Sequence, residues 1–237
     1  MRKYIYQTAA IFVALLFLSS AWLLYRGDFL SLHTEAQKVS AIVDYASDDP
    51  DDPSPLRVVL HPVIQFDETF GNRRIIVFAD SEIDGLLGRI QFRRGILGGW
   101  QPLSAFYNKT PVMIQSATIR DQNIRVVYGV DCPSNVAHYK VQANLRNDAT
   151  LMAEGDITTP TFFHIHETDR DFFPAMELYD GAGNHLDYSY LASDQSIPSP
   201  SIGSAETDMV YWICAAWLGI GYLIVKYLWD QRKKETA

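Results

Sequence analysis

Cysteine is nearly absent from this chain: there are two among 237 residues, at Cys132 and Cys214. A chain of this length can build an apolar core without disulfide bonds, so the count excludes a small secreted module held together by bridges. Cys132 lies in a turn at 131–135, without an arrangement of histidine or lysine that would activate a thiol. We predict an inert, partly buried cysteine there.

Motifs of catalysis are missing as well. The chain has no G-x-S-x-G, S-x-x-K or H-E-x-x-H pattern. The glycine-rich segment 95–100 lacks the lysine of a P-loop and is predicted to bend, with Trp100 over a sheet edge. The segment 80–85 begins like a calcium loop, but Glu82 and Gln91 occupy its third and twelfth positions, so we predict a β-turn. These absences favour a binding or structural role over catalysis.

Basic residues are outnumbered, since 20 Lys and Arg face 28 Asp and Glu and the net charge is −8. The acidic excess lies in the segment 26–208, whereas both chain ends are basic. Nucleic acids and anionic lipid head groups attract basic faces. An acidic central segment therefore argues against docking on either.

Long apolar runs occupy both ends of the chain, at 4–25 and 209–229, and the only charge within them is Lys226. Each run, as a helix, covers about 30 Å of hydrocarbon. We predict two transmembrane helices, with the lipid bilayer as a partner. A cleaved signal peptide is the alternative for the first run. It is less favoured, because the run is long and no A-x-A-like cleavage site follows Leu24.

Basic residues lie at or beyond the outer ends of the two runs, the ends nearest the chain termini: Arg2, Lys3, Lys226, Arg232, Lys233 and Lys234. Short flanks rich in lysine and arginine stay in the cytoplasm. We therefore predict a two-pass protein of the plasma membrane with both termini cytoplasmic and the central domain extracytoplasmic. Cys132 and Cys214 would then be kept apart and would not pair.

Small residues recur along both runs, at Ala10, Ala14 and Ala21 in the first and at Ala215 and Gly219 in the second. Small residues let helix backbones approach closely in lipid. They predict that the spans pack together, form a homo-oligomer or contact a membrane-protein partner. Alanine and glycine are also common in membrane helices in general, and that interpretation stays open.

The predicted order of segments follows from composition. The linker that precedes the folded domain contains three prolines and four aspartates within 47–55 and favours extended chain. The segments are a cytoplasmic N-terminus (1–3), a transmembrane helix (4–25), a juxtamembrane helix and acidic linker (26–55, with the helix at 29–46), a β-rich domain (56–191), a flexible stalk (192–208), a transmembrane helix (209–229) and a basic tail (230–237).

Short runs rich in Val, Ile, Phe, Tyr and Thr recur between turn signals within 56–191 and are typical of strands. We predict strands at 57–66, 74–79, 88–92, 112–119, 124–130, 138–143, 161–166, 175–179 and 186–190, with a turn at 67–72. Because no long helix separates them, the pattern indicates a mainly β domain, an antiparallel β-sandwich or an open barrel, flanked by two transmembrane α-helices.

Two histidines form the sharpest local cluster of the chain. His164 and His166 are two residues apart on a predicted strand and therefore share a face, a spacing that a metal can use. Glu167 is predicted to complete a divalent-metal site, helped by Asp169 or Asp171 or by His61, His138 or His185 from elsewhere. A polar sheet face that runs into an acidic turn is the alternative. No other cofactor is predicted, and no catalytic residue is assigned.

Three segments resemble a family in their order along the chain. They are GILGGWQPLSA (95–105), NIRVVYGV (123–130) and AMELYDGAGN (175–184). This order resembles small membrane-anchored proteins of Gram-positive bacteria, in which a glycine–tryptophan segment precedes a VYG strand and a D-x-x-G-N turn. The resemblance implies a bacterial envelope setting and a β-rich domain, and it supplies no active site.

Together these features predict a membrane-anchored extracytoplasmic binding or accessory protein. The first alternative is a metal sensor or metal-dependent enzyme built on His164 and His166. The second is a purely structural envelope protein, which would have no ligand and no dedicated partner.

Overall fold

The computed structural model describes residues 2–46, 58–119, 122–145, 148–168, 174–186 and 204–234. The predicted acidic linker at 47–55 and most of the stalk therefore lie outside the described residues. The elements are α1 (Arg2–Asp28), α2 (Glu35–Ala46), β1 (Pro62–Phe70), β2 (Arg73–Asp80), β3 (Leu86–Arg94), β4 (Trp100–Lys109), β5 (Val112–Ile119), β6 (Gln122–Gly129), β7 (His138–Leu145), β8 (Asp148–Asp156), β9 (Phe162–Thr168), β10 (Pro174–Tyr179), β11 (His185–Leu186) and α3 (Ser204–Lys234).

The chain divides into two compact units. The helical unit comprises Met1–Leu32, Gly95–Gln101 and Gly203–Ala237, and the β unit comprises His33–Arg94 and Pro102–Ile202. The helical unit therefore contains both apolar helices together with the loop that joins β3 to β4. Both helices are long and apolar enough to cross a membrane.

Helices α1 and α3 pack against each other in antiparallel orientation. The Phe17 and Trp217 rings lie 4.8 Å apart, and the Trp217 indole N–H donates to Ser20 Oγ at 2.7 Å. Further toward the end of α1, Cys214 Sγ lies 3.7 Å from the Ala21 carbonyl oxygen. Because residue numbers rise along α1 as they fall along α3, the start of α1 and the end of α3 lie at the same end of the pair.

Only part of the predicted small-residue pattern lies at this contact. Ala10 and Ala21 are buried, as expected for close helix packing. Gly219 faces open space, and the close approach occurs instead at Gly221, where an added Cβ would lie 2.6 Å from Phe17 Cγ. Ala215 is exposed, so the predicted Ala215–Gly219 step faces away from α1.

Helix α2 belongs to the β unit and begins at Glu35 rather than at residue 29. Its start is a capping box, in which Thr34 Oγ1 accepts from the Gln37 N–H at 3.3 Å and Gln37 Oε1 accepts from the Thr34 N–H at 3.1 Å. This reciprocal pair satisfies N–H groups that have no partner within the helix. The buried residues of α2 are Ala41, Ile42 and Ala46. The apolar steps in the sequence predicted Ala36, Val39, Ile42 and Val43 for the packed face, but Ala36 is exposed and Val39 and Val43 are only half-buried.

Three antiparallel sheets form the β unit, which confirms the mainly β prediction. The first sheet has the order β1-β2-β3-β4, the second β5-β6-β9 and the third β11-β10-β7-β8. One buried cluster joins Ile75, Val77 and Leu87 of the first sheet to the second sheet through Met113, Ile124, Val126 and Tyr128. Another joins Val112, Val127 and Phe162 of the second sheet to the third through Tyr139, Val141, Ala153 and Leu178.

Two strands, β4 and β8, lie outside the predicted set. Strand β4 contains Pro102 and is a terminal strand of the first sheet, a position where proline is tolerated. Trp100 is the first residue of this strand, and its backbone exchanges two N–H···O bonds of 2.9 and 2.8 Å with Leu30. Of the predicted strand 186–190, only Leu186 lies within the described residues, at the end of β11.

Strand β1 is shifted from its predicted position, since it runs to Phe70 and leaves the turn to Gly71 and Asn72. Asp67 and Glu68 suggested a turn, but Asp67 is held within the strand. Its carboxylate accepts from Arg74 Nε at 2.6 Å and from Arg74 Nη2 at 2.7 Å, and it pairs with Lys38 of α2. Burial acts to raise the pKa of Asp67, but the hydrogen bonds from Arg74 and Lys38 outweigh it and lower the pKa.

Substitution of Gly221 tests the packing of α1 on α3. We expect Gly221→Val to separate the helices locally, since its Cβ would collide with Phe17, whereas Gly219→Val adds the same side chain in open space. The measurement is oxidation of an introduced Ala21→Cys with the native Cys214, quantified by intact mass. The yield should fall several-fold with Gly221→Val and stay unchanged with Gly219→Val. Equal yields in the two variants would contradict this packing.

Candidate functional site

The two predicted histidines lie side by side on β9, on one face of the second sheet. Strand β9 pairs with β6 so that His164 is opposite Val127 and His166 is opposite Arg125. Because side chains alternate along a strand, these four side chains share one face. Val127 belongs to the apolar cluster between the second and third sheets, so both histidines lie beside a core.

A tyrosine from the third sheet joins the two histidines. The Tyr139 hydroxyl lies 2.8 Å from His164 Nδ1 and 2.6 Å from His166 Nε2, and the tyrosine side chain is fully buried. Gly155 of β8 is directly opposite Tyr139, and an added Cβ there would lie 2.6 Å from the tyrosine oxygen. The absence of a side chain at Gly155 therefore leaves room for the Tyr139 ring.

The hydrogen bonds of the cluster require the two imidazoles to have opposite roles. The Tyr139 hydroxyl has one proton, so it donates to one ring nitrogen and accepts from an N–H of the other histidine. Burial lowers the pKa of both His164 and His166, and the neighbouring His164 lowers that of His166 further. Burial raises the pKa of Tyr139, so the phenol stays protonated at neutral pH.

Arg125 is a further polar residue on this face and is fully buried. It lies between Ser116 of β5 and His166 of β9 in the strand register. A buried guanidinium is rare, because removing a charge from water costs several kcal/mol unless polar groups surround it. The only signal in the sequence was the position of Arg125 in the alternation of β6, two residues before the core residue Val127.

Glu167, the third predicted metal ligand, lies on the opposite face of β9, since it follows His166 directly, and it is exposed. Asp169 and Asp171 fall outside the described residues. The other histidines lie elsewhere: His138 has ring nitrogens near Asp156 and Glu154, His61 lies near Glu82, and His185 stacks edge-on against Tyr179. Within the described part of the chain, no three His, Cys, Asp or Glu side chains form a metal-binding group.

Tyr139, His164 and His166 nevertheless provide three convergent donor atoms of the kinds that transition metals bind. Ligands at about 2.0 Å in a tetrahedral zinc site lie about 3.3 Å from one another. The Tyr139 oxygen is 2.8 and 2.6 Å from the two ring nitrogens, so a metal would require an opening of about 0.5 to 0.7 Å and loss of the phenol proton. The arrangement fits a hydrogen-bonded cluster and can become a metal site after a small movement.

Two other sequence predictions concern Cys132 and the segment 80–85. Cys132 is a free, buried thiol, which confirms the predicted burial. Burial raises its pKa to about 12, which supports the prediction that it is inert. In the segment 80–85, Asp80 Oδ1 accepts from the N–H groups of Glu82 and Ile83, and Gly85 has φ 69°. The predicted turn between strands is confirmed, and its first carboxylate is used to hold the backbone.

No family model, curated protein or solved structure matches the chain.

The lowered pKa values of His164 and His166 predict acid sensitivity. As the pH falls below about 6.5, the two histidines become protonated in the unfolded chain. In the folded chain they stay neutral until the pH approaches their lowered pKa values. Folding stability therefore decreases as the pH falls through this window, by at most about 1.4 kcal/mol per pH unit for each histidine. We expect the melting temperature of the full chain in detergent to fall more steeply between pH 7 and pH 5 than that of His164→Gln/His166→Gln.

The matched control for this comparison is His185→Gln, which removes an exposed histidine outside the cluster. This variant should keep the slope of the native chain. Equal slopes in the native chain and the double variant would contradict the neutral, buried state of the two histidines.

Proposed function

We propose that the protein is a membrane-anchored extracytoplasmic binding or accessory protein, tethered to the plasma membrane at both ends. The observation that carries this proposal is the antiparallel contact of α1 and α3, through Phe17, Ser20 and Trp217. Two apolar helices that pack in this way form a hairpin across a bilayer rather than two unrelated segments. The bacterial envelope setting is implied by the resemblance of three segments to proteins of Gram-positive bacteria.

The charge distribution supports cytoplasmic termini. Helix α1 begins at Arg2 and Lys3, and the last turn of α3 contains Arg232, Lys233 and Lys234. Antiparallel packing brings these basic segments to the same end of the helix pair, where the positive-inside rule assigns them to the cytoplasm. The acidic segment between the helices would then be extracytoplasmic.

An accessory role is supported by what the helix pair leaves uncovered. Trp212 of α3 is 76% exposed, and Tyr222 and Leu223 are also exposed, although α3 already packs on α1. These side chains would face lipid or the helices of a partner protein. On the β unit, Ile165 of β9 is also exposed, which offers a second surface for a partner.

We also propose that the three sheets stack as a sandwich instead of closing into a barrel. The support is that the second sheet has an apolar cluster on each face, one shared with the first sheet and one with the third. Stacked sheets bury their facing side chains in this way.

Photo-crosslinking in intact cells tests the accessory role. Benzoylphenylalanine in place of Trp212 or Ile165 should give discrete protein adducts of reproducible mass at one of the two positions. The control is the same residue in place of Phe17, which packs within the helix pair and should react only with α3. The proposal fails if both exposed positions give no protein adduct, with a partner or with a second copy of the chain.

A metal-binding function is the second candidate, and it is favoured by the convergence of Tyr139, His164 and His166. Imidazole and phenolate donors suit zinc and copper better than calcium or magnesium. The metal would displace the phenol proton, and the histidine that donates its N–H to Tyr139 would carry that proton on its other ring nitrogen, because a neutral imidazole binds a metal through its lone pair. The raised pKa of Tyr139 opposes loss of the phenol proton until the metal charge stabilises the phenolate.

Thermal unfolding of the full chain in detergent tests this candidate. Zinc or copper at about 100 times its Kd should stabilise the chain by about 2.7 kcal/mol relative to EDTA. Tyr139→Phe, which keeps the ring and removes the oxygen, should reduce this shift, and His164→Ala/His166→Ala should abolish it. The control is His138→Gln, which changes the neighbour of Tyr139 on β7 and leaves the cluster itself intact. An equal shift in all four chains would exclude the proposed donors.

A further inference from the structure

The helical unit contains an apolar groove between α1, α3 and the loop that joins β3 to β4. Its volume is about 390 Å³, within the range of small-ligand pockets. Its lining includes Leu18, Trp22 and Tyr25 of α1, Leu218 of α3, and Ile96 and Leu97 of the loop. The groove thus lies along segments of both helices that are apolar enough to cross a membrane.

The loop is attached to α1 by defined hydrogen bonds. The Tyr25 hydroxyl accepts from the Leu97 N–H at 3.0 Å and donates to the Gly98 carbonyl oxygen at 2.8 Å. Gly99 lies against Phe29 in a backbone conformation with φ 78°, which favours glycine. Because the Tyr25 hydroxyl is used by the loop backbone, the tyrosine presents its ring to the groove.

The tip of the loop is apolar and exposed. Ile96 is 84% exposed and Leu97 is 63% exposed, and neither fills the core of either unit. Two adjacent exposed aliphatic side chains are unfavourable in water, at about 25 cal/mol per Å² of apolar surface, and favourable in hydrocarbon. Their place next to the groove makes lipid the medium that suits both features.

A cation lies directly above one wall of the groove. Leu18, Trp22 and Arg26 follow one another at four-residue steps and therefore share one face of α1. The Arg26 guanidinium lies 5.7 Å from the centre of the Trp22 ring and is exposed. The apolar wall thus ends, one turn further along α1, at a group that forms paired hydrogen bonds with phosphate.

We propose that this groove binds one acyl chain of an anionic phospholipid of the outer leaflet, with the lipid phosphate at Arg26. The proposal rests on the membrane placement given above and names a ligand for the helical unit. The acidic central segment argued against docking on anionic lipid head groups. Arg26 and the groove belong to the helical unit, so the proposed contact does not involve the acidic β unit. Phosphatidylcholine has the same chains and the same phosphate, but its choline cation compensates the phosphate charge, so the net negative charge of the head group beside Arg26 is what distinguishes the two lipids.

Photo-labelling of the full chain in nanodiscs tests the proposal. The probes are phosphatidylglycerol and phosphatidylcholine, each with a diazirine in one acyl chain, and adducts are mapped by peptide mass spectrometry. Phosphatidylglycerol should label the groove segments 18–25, 96–97 and 211–218 at least several-fold more than phosphatidylcholine. Equal labelling by the two lipids would overturn the proposal.

Matched variants separate the chain contact from the phosphate contact. Leu218→Trp fills the groove and should reduce labelling of these segments by both lipids, whereas Leu223→Trp, on the exposed side of α3, should not. Arg26→Gln should remove the preference for phosphatidylglycerol. Arg232→Gln, which alters the arginine that lies over Trp229 at 4.5 Å at the other end of the pair, should leave the preference intact. An unchanged preference with Arg26→Gln would overturn the assigned phosphate contact.

Carbonate extraction of cell membranes distinguishes failure of this inference from failure of the proposed function. A chain that resists extraction but shows no lipid preference retains its membrane anchor and lacks the site. A chain released by carbonate lacks the anchor, and both proposals then fail.

Discussion

The antiparallel contact of α1 with α3 is the constraint on which most of the arrangement depends. Gly221 brings the two backbones together at Phe17, and the Trp217–Ser20 hydrogen bond satisfies an indole N–H for which hydrocarbon offers no partner. Because the helices run in opposite directions, the chain leaves the end of α1 and returns to the start of α3 at one end of the pair. The groove and its loop lie near this same end.

The cluster of Tyr139, His164 and His166 in the β unit depends on a different constraint, the free space beside the tyrosine ring. Tyr139 reaches His164 and His166 only because Gly155 has no side chain. The same glycine, with the alanine, glutamate and aspartates around it, made β8 unlike a strand in composition. Gly155 therefore makes β8 hard to predict from the sequence and also makes room for the tyrosine. Pro102 makes β4 hard to predict in a comparable way.

Much of the fold could be predicted because its signals are local. Apolar composition predicts α1 and α3, and two-residue alternation places His164 and His166 on one face. The site could be predicted only in part, because Arg125 reaches it through strand pairing and Tyr139 through contacts between two sheets, and both link segments that are distant in the sequence. Asp67 shows the same limit, since its side chain suggests a turn until Lys38 and Arg74 are known to lie beside it.

The different surroundings of the two cysteines have a practical consequence. Cys132 is buried in the apolar cluster between the second and third sheets, with its Sγ 3.7 Å from the Pro111 carbonyl oxygen. Cys214, in contrast, is partly exposed on α3. A hydrophobic thiol reagent would therefore modify the native chain at one position. The protein can carry a single spin label or fluorophore beside Ala21 without any substitution, which makes measurements of local polarity and accessibility feasible on the unaltered sequence.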